Sequence, residues 1–492
     1  MSRSRDKEVE TAVAQMPASA NQDVGRSVSL TGSDLTPEEQ RRVLSRLDWR
    51  LLAMIGSLYC ISAIDRFNMS FAQVAGMGRD LELSGYRYNI ANLVFFFTYV
   101  LFQAPSTVLA RLVGPRVFLC SVALSWGAVV LGMGFVHTFA QLAGMRLLLG
   151  LFEAGLFPSA MYLLSTWYTR YEIGQRFSIF YLLGVAAAAC SGLLAYGLTH
   201  LDGKAGLPGW RWIFIIEGTA TCVVAAASFW FLEDFPDTER DSNSFLSRRE
   251  RQWVVQRIQR DRGDSYALPL TMKRFFAGGV DCKVWAYAIM FGNGALVGYA
   301  MAYTLPMILV ENMGFTVAQA QCLSAPPYVL GGIILLLNGY FSDRLRCRGP
   351  FMCASMLLCI VGLAILGWHP RPGVRYFGVF LLMGGLPSCP PLLMALQANN
   401  VRGQWKRAFT SATLVGSGGV GGIAGCLLFR DQDKASGYRV AMFICLGCLV
   451  VNIVLMVLCD WDVYRQNKLA DQGKKRLEAD EDGGTDDYRY TY

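Results

Sequence analysis

The sequence predicts an all-α membrane protein, with twelve transmembrane helices arranged as two six-helix bundles. Three observations carry this. Hydrophobic residues make up 53% of the 492-residue chain and charged residues only 17%, against about 25% charge in a soluble domain. Apolar runs of about 20 residues recur, the length that crosses a hydrocarbon core at ~1.5 Å per residue. The runs also divide six and six around a polar stretch.

In chain order, residues 1–50 read as a cytoplasmic tail. Its first part is polar and charged, with no cleavable signal peptide. Thr36-Pro37-Glu38-Glu39 then supplies an N-cap, a first-turn proline and an acid at the third position, a capping box that opens a short amphipathic helix. The first six runs, at about 51–72, 89–110, 117–136, 141–164, 177–198 and 212–232, make a bundle over 51–232. A cytoplasmic central loop follows over 233–282, where Ser247-Arg248-Arg249-Glu250 is a second capping box. It precedes Trp253, Val254, Val255 and Ile258, the pattern of a helix lying on the membrane surface. Six more runs, at about 284–306, 321–341, 351–368, 375–396, 408–428 and 439–459, make the second bundle over 283–459, and 460–492 is a cytoplasmic tail.

The halves repeat in parallel. The first and seventh runs start about 232 residues apart, and the basic turns at Arg111 to Arg116 and Arg344 to Arg348 keep nearly that offset. Such repeats bind substrate near the bilayer midplane, between the halves. Short-loop charges barely decide orientation. Arg41, Arg42, Arg46 and Arg50, with the basic central loop, place both termini in the cytoplasm.

Several function classes drop out. The net charge of +8 belongs to membrane-flanking loops, so no nucleic-acid partner is expected. Many of the fourteen cysteines lie inside apolar runs, where Cys behaves as a small hydrophobe. The three histidines sit near run ends, so no metal or cofactor is expected, nor an enzyme active site. Gly416-Ser417-Gly418-Gly419-Val420-Gly421 imitates a dinucleotide fingerprint, but it follows no strand and reads as close helix packing.

The chemistry concentrates in the first half. Arg146 and Glu153 lie seven residues apart in the fourth run, so they share a helix face. Asp65, Arg66 and Asn68 fall in the first run, with Asp65 about 21 Å in from the cytoplasmic side and Arg146 at a similar height. Four unpaired ionisable groups at such depth would cost on the order of 10 kcal/mol, so they must pair or line a wet cavity. Arginine stays charged and can hold an anion, whereas a buried carboxylate can exchange a proton. An anion that takes the arginine strips the acid of its counter-ion and draws in a proton. The alternative is a structural ion pair between the first and fourth runs.

Glu217, about five residues into the sixth run, reads as a gate residue or as an interfacial acid paired with a loop base. Gly339, Asp343 and Arg344 read as a conformational latch, with glycine allowing close helix approach and the acid reaching across the domain interface, or else as an ordinary basic turn. Tyr303, Gln397, Asn399 and Asn400 lie beside prolines that free backbone carbonyls, and they are candidate substrate contacts.

At these residues the chain resembles the fungal allantoate permease family, the anion:cation symporter branch of the major facilitator superfamily. The matching pieces are Ile64 to Asn68, Phe102 to Ser106, Arg146 to Pro158, Trp167-Tyr168 with Arg170 and Glu172, Gly209 to Trp212 with Glu217-Gly218, Ala325 to Tyr328, and Ala398 to Asn400. The resemblance implies proton-linked movement of small carboxylates and vitamins across the plasma membrane. It also implies that Asp65 and Glu153 match the family's proton-coupling acids, and that Arg66 and Arg146 match its anion-site bases. The chain departs at Gln103, where many relatives place an acid, at Gln397, where an aromatic is usual, and at Ser417-Gly418-Gly419, where an Asn is often found.

The expected function is proton-coupled symport of a small organic anion by alternating access. The expected protein is a monomer whose partners are the anion, protons and the bilayer. Export of a fungal metabolite is the alternative. Span five lacks the Gly-Pro of many proton antiporters, which speaks against it.

Overall fold

The helix Pro37–Leu47 begins where the capping box was expected. Thr36 Oγ1 accepts from the Glu39 N–H, and the Glu39 carboxylate accepts from the Thr36 N–H at 2.8 Å. A computed structural model describes residues 35–235, 246–262, 278–345, 347–401, 404–433, 437–474 and 489–490. Residues 1–34 of the expected tail and much of the central loop lie outside the described residues. Among those described, all regular structure is helical.

Among the described residues, eleven helical segments are long and apolar enough to cross a membrane. Arg87–Val113, with 27 residues, is long enough to be the twelfth. In chain order, spans 1 to 3 are Ala53–Ala72, Arg87–Val113 and Pro115–Met133. Span 4 is Phe139–Glu153 continued by Leu156–Trp167, span 5 Arg170–Thr199 and span 6 Gly209–Phe231. The second half has span 7 at Cys282–Glu311, span 8 at Ala325–Leu345 and span 9 at Gly349–Trp368. Span 10 is Pro372–Gly385 continued by Cys389–Asn400, span 11 is Gln404–Leu428 and span 12 is Arg439–Asp471.

Two spans expected to be continuous are broken. Span 4 yields at Ala154-Gly155 because Pro158 has no N–H to return to the Ala154 carbonyl. Span 10 tightens into one turn over Leu386–Ser388 around Pro387. Span 12 runs past the end of its apolar stretch to Asp471, and Gln466 bonds the Asp462 carboxylate one turn back.

The packing repeats as the offset predicts. Spans 1 and 5, 2 and 4, and 3 and 6 pack together in the first half. Spans 7 and 11, 8 and 10, and 9 and 12 do so in the second. Across the halves, span 2 meets span 11 and span 5 meets span 8, each the other's counterpart. Each half carries its own buried apolar core. Backbone approach is closest where glycine permits it: a Cβ at Gly421 would lie 2.1 Å from the Gly292 carbonyl oxygen, and one at Gly150 would lie 2.2 Å from that of Phe95. The glycine run of span 11 is thus a packing surface.

The face from which the helix Pro37–Leu47 leads into span 1, here the terminal face, is tied by charge. Arg257 forks both oxygens of Glu172 at 3.0 and 2.8 Å, and Arg176 forks Asp48 at 3.0 and 3.0 Å. The helix Arg248–Arg262, capped as expected by Ser247 and Glu250, docks through buried Trp253 and Val254, and Arg46 pairs with Glu250. On the opposite, far face the halves meet directly. Tyr88 Oη donates to the Tyr303 carbonyl at 2.9 Å, and Asn89 Nδ2 donates to the carbonyls of Cys426 and Phe429 at 2.6 and 3.0 Å.

Candidate transport site

A cavity of about 240 Å³ lies between the two halves. Span 1 contributes Tyr59, Ala63, Arg66 and Phe67, which recur at three- and four-residue steps on one helix face. Spans 2 and 5 add Tyr99 and Tyr181, and the second half adds Tyr299, Tyr303 and Tyr328. Among the described residues Arg66 is the only charged group on the wall, which otherwise presents tyrosines, phenylalanines, the Gln103 amide, two prolines and small or aliphatic residues.

Arg66 is fixed by neighbours on three spans. Its Nε donates to Glu153 Oε1 at 2.6 Å, Nη1 to Tyr299 Oη at 3.1 Å and Nη2 to Tyr99 Oη at 3.3 Å, with its guanidinium carbon 5.1 Å from the Tyr99 ring centre. A guanidinium has five N–H groups, so two remain for a ligand. Each phenol that accepts from Arg66 keeps its own O–H to donate. The cavity therefore offers one cation and two hydroxyl donors, an arrangement suited to a carboxylate. Glu153 is buried; its Oε1 also accepts from Ser62 Oγ at 2.5 Å, and its Oε2 has no partner.

The other predicted residues go elsewhere. Arg146 does share a buried helix face with Glu153, but it does not reach the cavity. It is fully enclosed, with Nε, Nη1 and Nη2 unpartnered and the Phe95 ring centre 6.0 Å away. Asp65, next to Arg66 in sequence, turns into the first bundle. It accepts from Asn68 Nδ2 at 3.4 Å, Trp126 Nε1 at 3.2 Å and Thr221 Oγ1 at 3.2 Å. Asn68 thus faces that acid rather than substrate. Glu217 is buried there too, both carboxyl oxygens unpartnered. No base pairs with Glu217 among the described residues, and the nearby Arg211 is engaged with the Gly134 carbonyl and His137.

In the second half Tyr303 reaches the cavity, while Gln397, Asn399 and Asn400 do not. Gln397 is buried in the continuation of span 10, Asn399 is exposed, and Asn400 donates to Tyr287 Oη at 3.4 Å. The prolines of span 10 themselves, Pro387 and Pro390, form part of the wall. Among the described residues the latch residues form no hydrogen bond or ion pair across the halves. Asp343 pairs with Arg348 at 3.0 Å in its own turn, Arg344 bonds Tyr340 Oη, and a Cβ at Gly339 would meet nothing within 4 Å. That glycine admits no close helix. Tyr59, Tyr99, Tyr181 and Tyr299 are functional candidates that motif reading passed over. The signal was a face of span 7 carrying Tyr299 and Tyr303 beside Gly294, Ala295, Gly298 and Ala302.

The profile of the Major Facilitator Superfamily matches residues 55–426, with a second match over 289–480. The "MFS-type transporter cnsO" of Penicillium expansum is 32% identical over 436 residues, 87% of this chain and 84% of that one. The "High-affinity nicotinic acid transporter" of Saccharomyces cerevisiae is 30% identical over 432 residues, 87% and 79% of the two chains. The fold also matches a bacterial homologue of the human lysosomal transporter Spinster, solved inward-facing and unoccupied. That match has a TM-score of 0.62 and 14% identity, covering 86% of this chain and 96% of that one. Twelve described spans in two matched halves, a cavity between them and these likenesses lead to one statement: this chain is a multi-pass membrane transporter, not an enzyme, and belongs to the Major Facilitator Superfamily.

Proposed function

We propose that the protein is a proton-coupled symporter of a small organic anion. We place it in the allantoate permease branch, at the plasma membrane, with both chain ends cytoplasmic, working as a monomer by alternating access. The observation that carries the reading is the Arg66–Glu153 pair on the cavity wall. An anion bound to Arg66 competes for the guanidinium that compensates Glu153. The Ser62 hydroxyl and an empty Oε2 are then poor compensation for a buried charge, so Glu153 takes a proton as the anion enters. Anion and proton travel together, and release of one frees the other. The far-face contacts of Tyr88 and Asn89 support reading this state as the one open toward the terminal face. Arg146, unpartnered here, serves as the anion base when the far face opens.

The wall narrows the cargo. One guanidinium suits a single carboxylate, and the tyrosine and phenylalanine faces suit a flat, weakly polar body. Nicotinic acid, named for one relative, is a one-ring monocarboxylate of this kind.

The test is uptake into proteoliposomes of known orientation, using a panel of labelled mono- and dicarboxylates under an imposed proton gradient. Symport predicts concentrative uptake of a monocarboxylate that a protonophore abolishes. Accumulation that ignores the gradient would refute the coupling, and transport driven only by an opposed gradient would establish the exporter.

A further inference from the structure

Behind the cavity wall, spans 1, 3 and 6 enclose a second polar group that the Arg66–Glu153 pair does not use. Asp65, Asn68, Trp126, Glu217 and Thr221 are all buried there. Each neighbour that bonds Asp65 is a neutral donor: the Asn68 amide, the Trp126 indole and the Thr221 hydroxyl. The Asn68 and Trp126 N–H groups on this carboxyl favour its ionised form, while the single Thr221 proton is shared with the Glu217 carbonyl at 2.9 Å. Glu217 lies within electrostatic reach of Asp65, yet neither of its oxygens meets a donor. Two ionised acids enclosed together with no cation would be far too costly, so Glu217 is the one that keeps a proton.

A protonated Glu217 needs an acceptor, and the group supplies one. Asn68 gives its Nδ2 to Asp65 at 3.4 Å, its Oδ1 is buried and unpartnered, and its side chain lies beside Glu217. The amide thus joins the acids in one direction: Glu217 O–H toward Asn68 Oδ1, Asn68 N–H toward Asp65. Which amide atom is nitrogen follows from the network. Turned over, the same amide would serve a protonated Asp65 and an ionised Glu217 equally well. Other titratable groups facing the cluster are Glu153 on span 4, whose charge reaches Asp65, and the Cys222 thiol on span 6.

We propose that Asp65 and Glu217 hold one proton between them across the Asn68 side chain, which turns over as the proton changes sides. This makes Glu217 and Asn68 part of the proton-handling apparatus. The inference goes beyond the symport reading and does not depend on what the cavity carries.

Infrared spectroscopy of the full chain in lipid at neutral pH, without substrate or gradient, tests it. The wild type is expected to show a protonated-carboxyl C=O band that Glu217→Gln removes and Glu153→Gln leaves in place. Asn68→Leu keeps the volume but takes away the acceptor, so the band should move in frequency. A band that survives Glu217→Gln, or keeps its position in Asn68→Leu, would overturn the proposal. Because no transport is measured, failure of the symport reading leaves this result intact.

Discussion

Arg66 Nε lies 2.6 Å from Glu153 Oε1, and neither group has another charged partner among the described residues. The bond joins span 1 to span 4 at the cavity wall, with Arg66 part-buried and Glu153 enclosed. An isolated pair of this kind senses any third charge brought beside it.

Replacing Arg66 with Ala should therefore do two things. It removes the anion's only fixed counter-charge in the cavity, and it strands Glu153. Each hydrogen bond from the guanidinium to a charged ligand is worth about 1.5–3 kcal/mol, so losing the two left for the anion should lower substrate affinity by at least about 100-fold. Arg66→Lys should not restore it, because an ammonium cannot hold Glu153, Tyr99 and Tyr299 with one rigid fork. Equilibrium binding of the transported acid checks both variants.

Glu153→Gln should separate transport from coupling. The amide occupies the carboxyl's space but carries no exchangeable charge, so exchange of labelled for unlabelled substrate should continue while uphill uptake stops. Uptake that still concentrates substrate would assign the proton elsewhere.

The two phenols that orient Arg66 should contribute modestly. Tyr99→Phe and Tyr299→Phe each remove one hydroxyl bonded to the guanidinium, worth about 1.5 kcal/mol, or roughly tenfold in affinity. The rings stay, so the fold should not change. Titration calorimetry resolves a difference of that size.

Gly150→Ala probes the scaffold rather than the cavity. Its methyl would lie 2.2 Å from both the Phe95 carbonyl oxygen and Thr98 Oγ1, so spans 2 and 4 must separate. Overpacking of this kind costs about 1–3 kcal/mol. Thermal unfolding in detergent should show a lower midpoint, with lost transport tracking lost folded protein.

Much of this architecture was legible in the sequence because its causes are local. An apolar run declares a span whatever surrounds it, and the two capping boxes need only four residues each. The repeat offset likewise implied that whatever pairing one half adopts, the other repeats. What escaped was direction around the helix axis. Asp65 and Arg66 have the same depth, but neighbours on a helix point about 100° apart. One therefore enters the bundle and the other the cavity, and only the packed neighbours decide which. Arg146 and Glu153 did share a face, yet the partner that Glu153 meets comes from another span. Gln397, Asn399 and Asn400 looked like cargo contacts because they follow prolines, whereas it is the prolines that reach the wall. Tyrosines scattered over five spans leave no linear motif, so their convergence became visible only after folding.

The seal on the far face has a lopsided dependence on side chains. Tyr88 and Asn89 reach across from span 2, but what they grip in the other half is peptide oxygen, at Tyr303, Cys426 and Phe429. Every residue type carries such an oxygen. Sequence drift at those three positions leaves the acceptors in place, whereas losing the amide of Asn89 alone unfastens two bonds. At these three bonds the dependence on residue type is thus vested in the first half, whereas beside them Tyr86 Oη donates to the Gln432 side chain at 3.1 Å, a contact that substitution in either half would break.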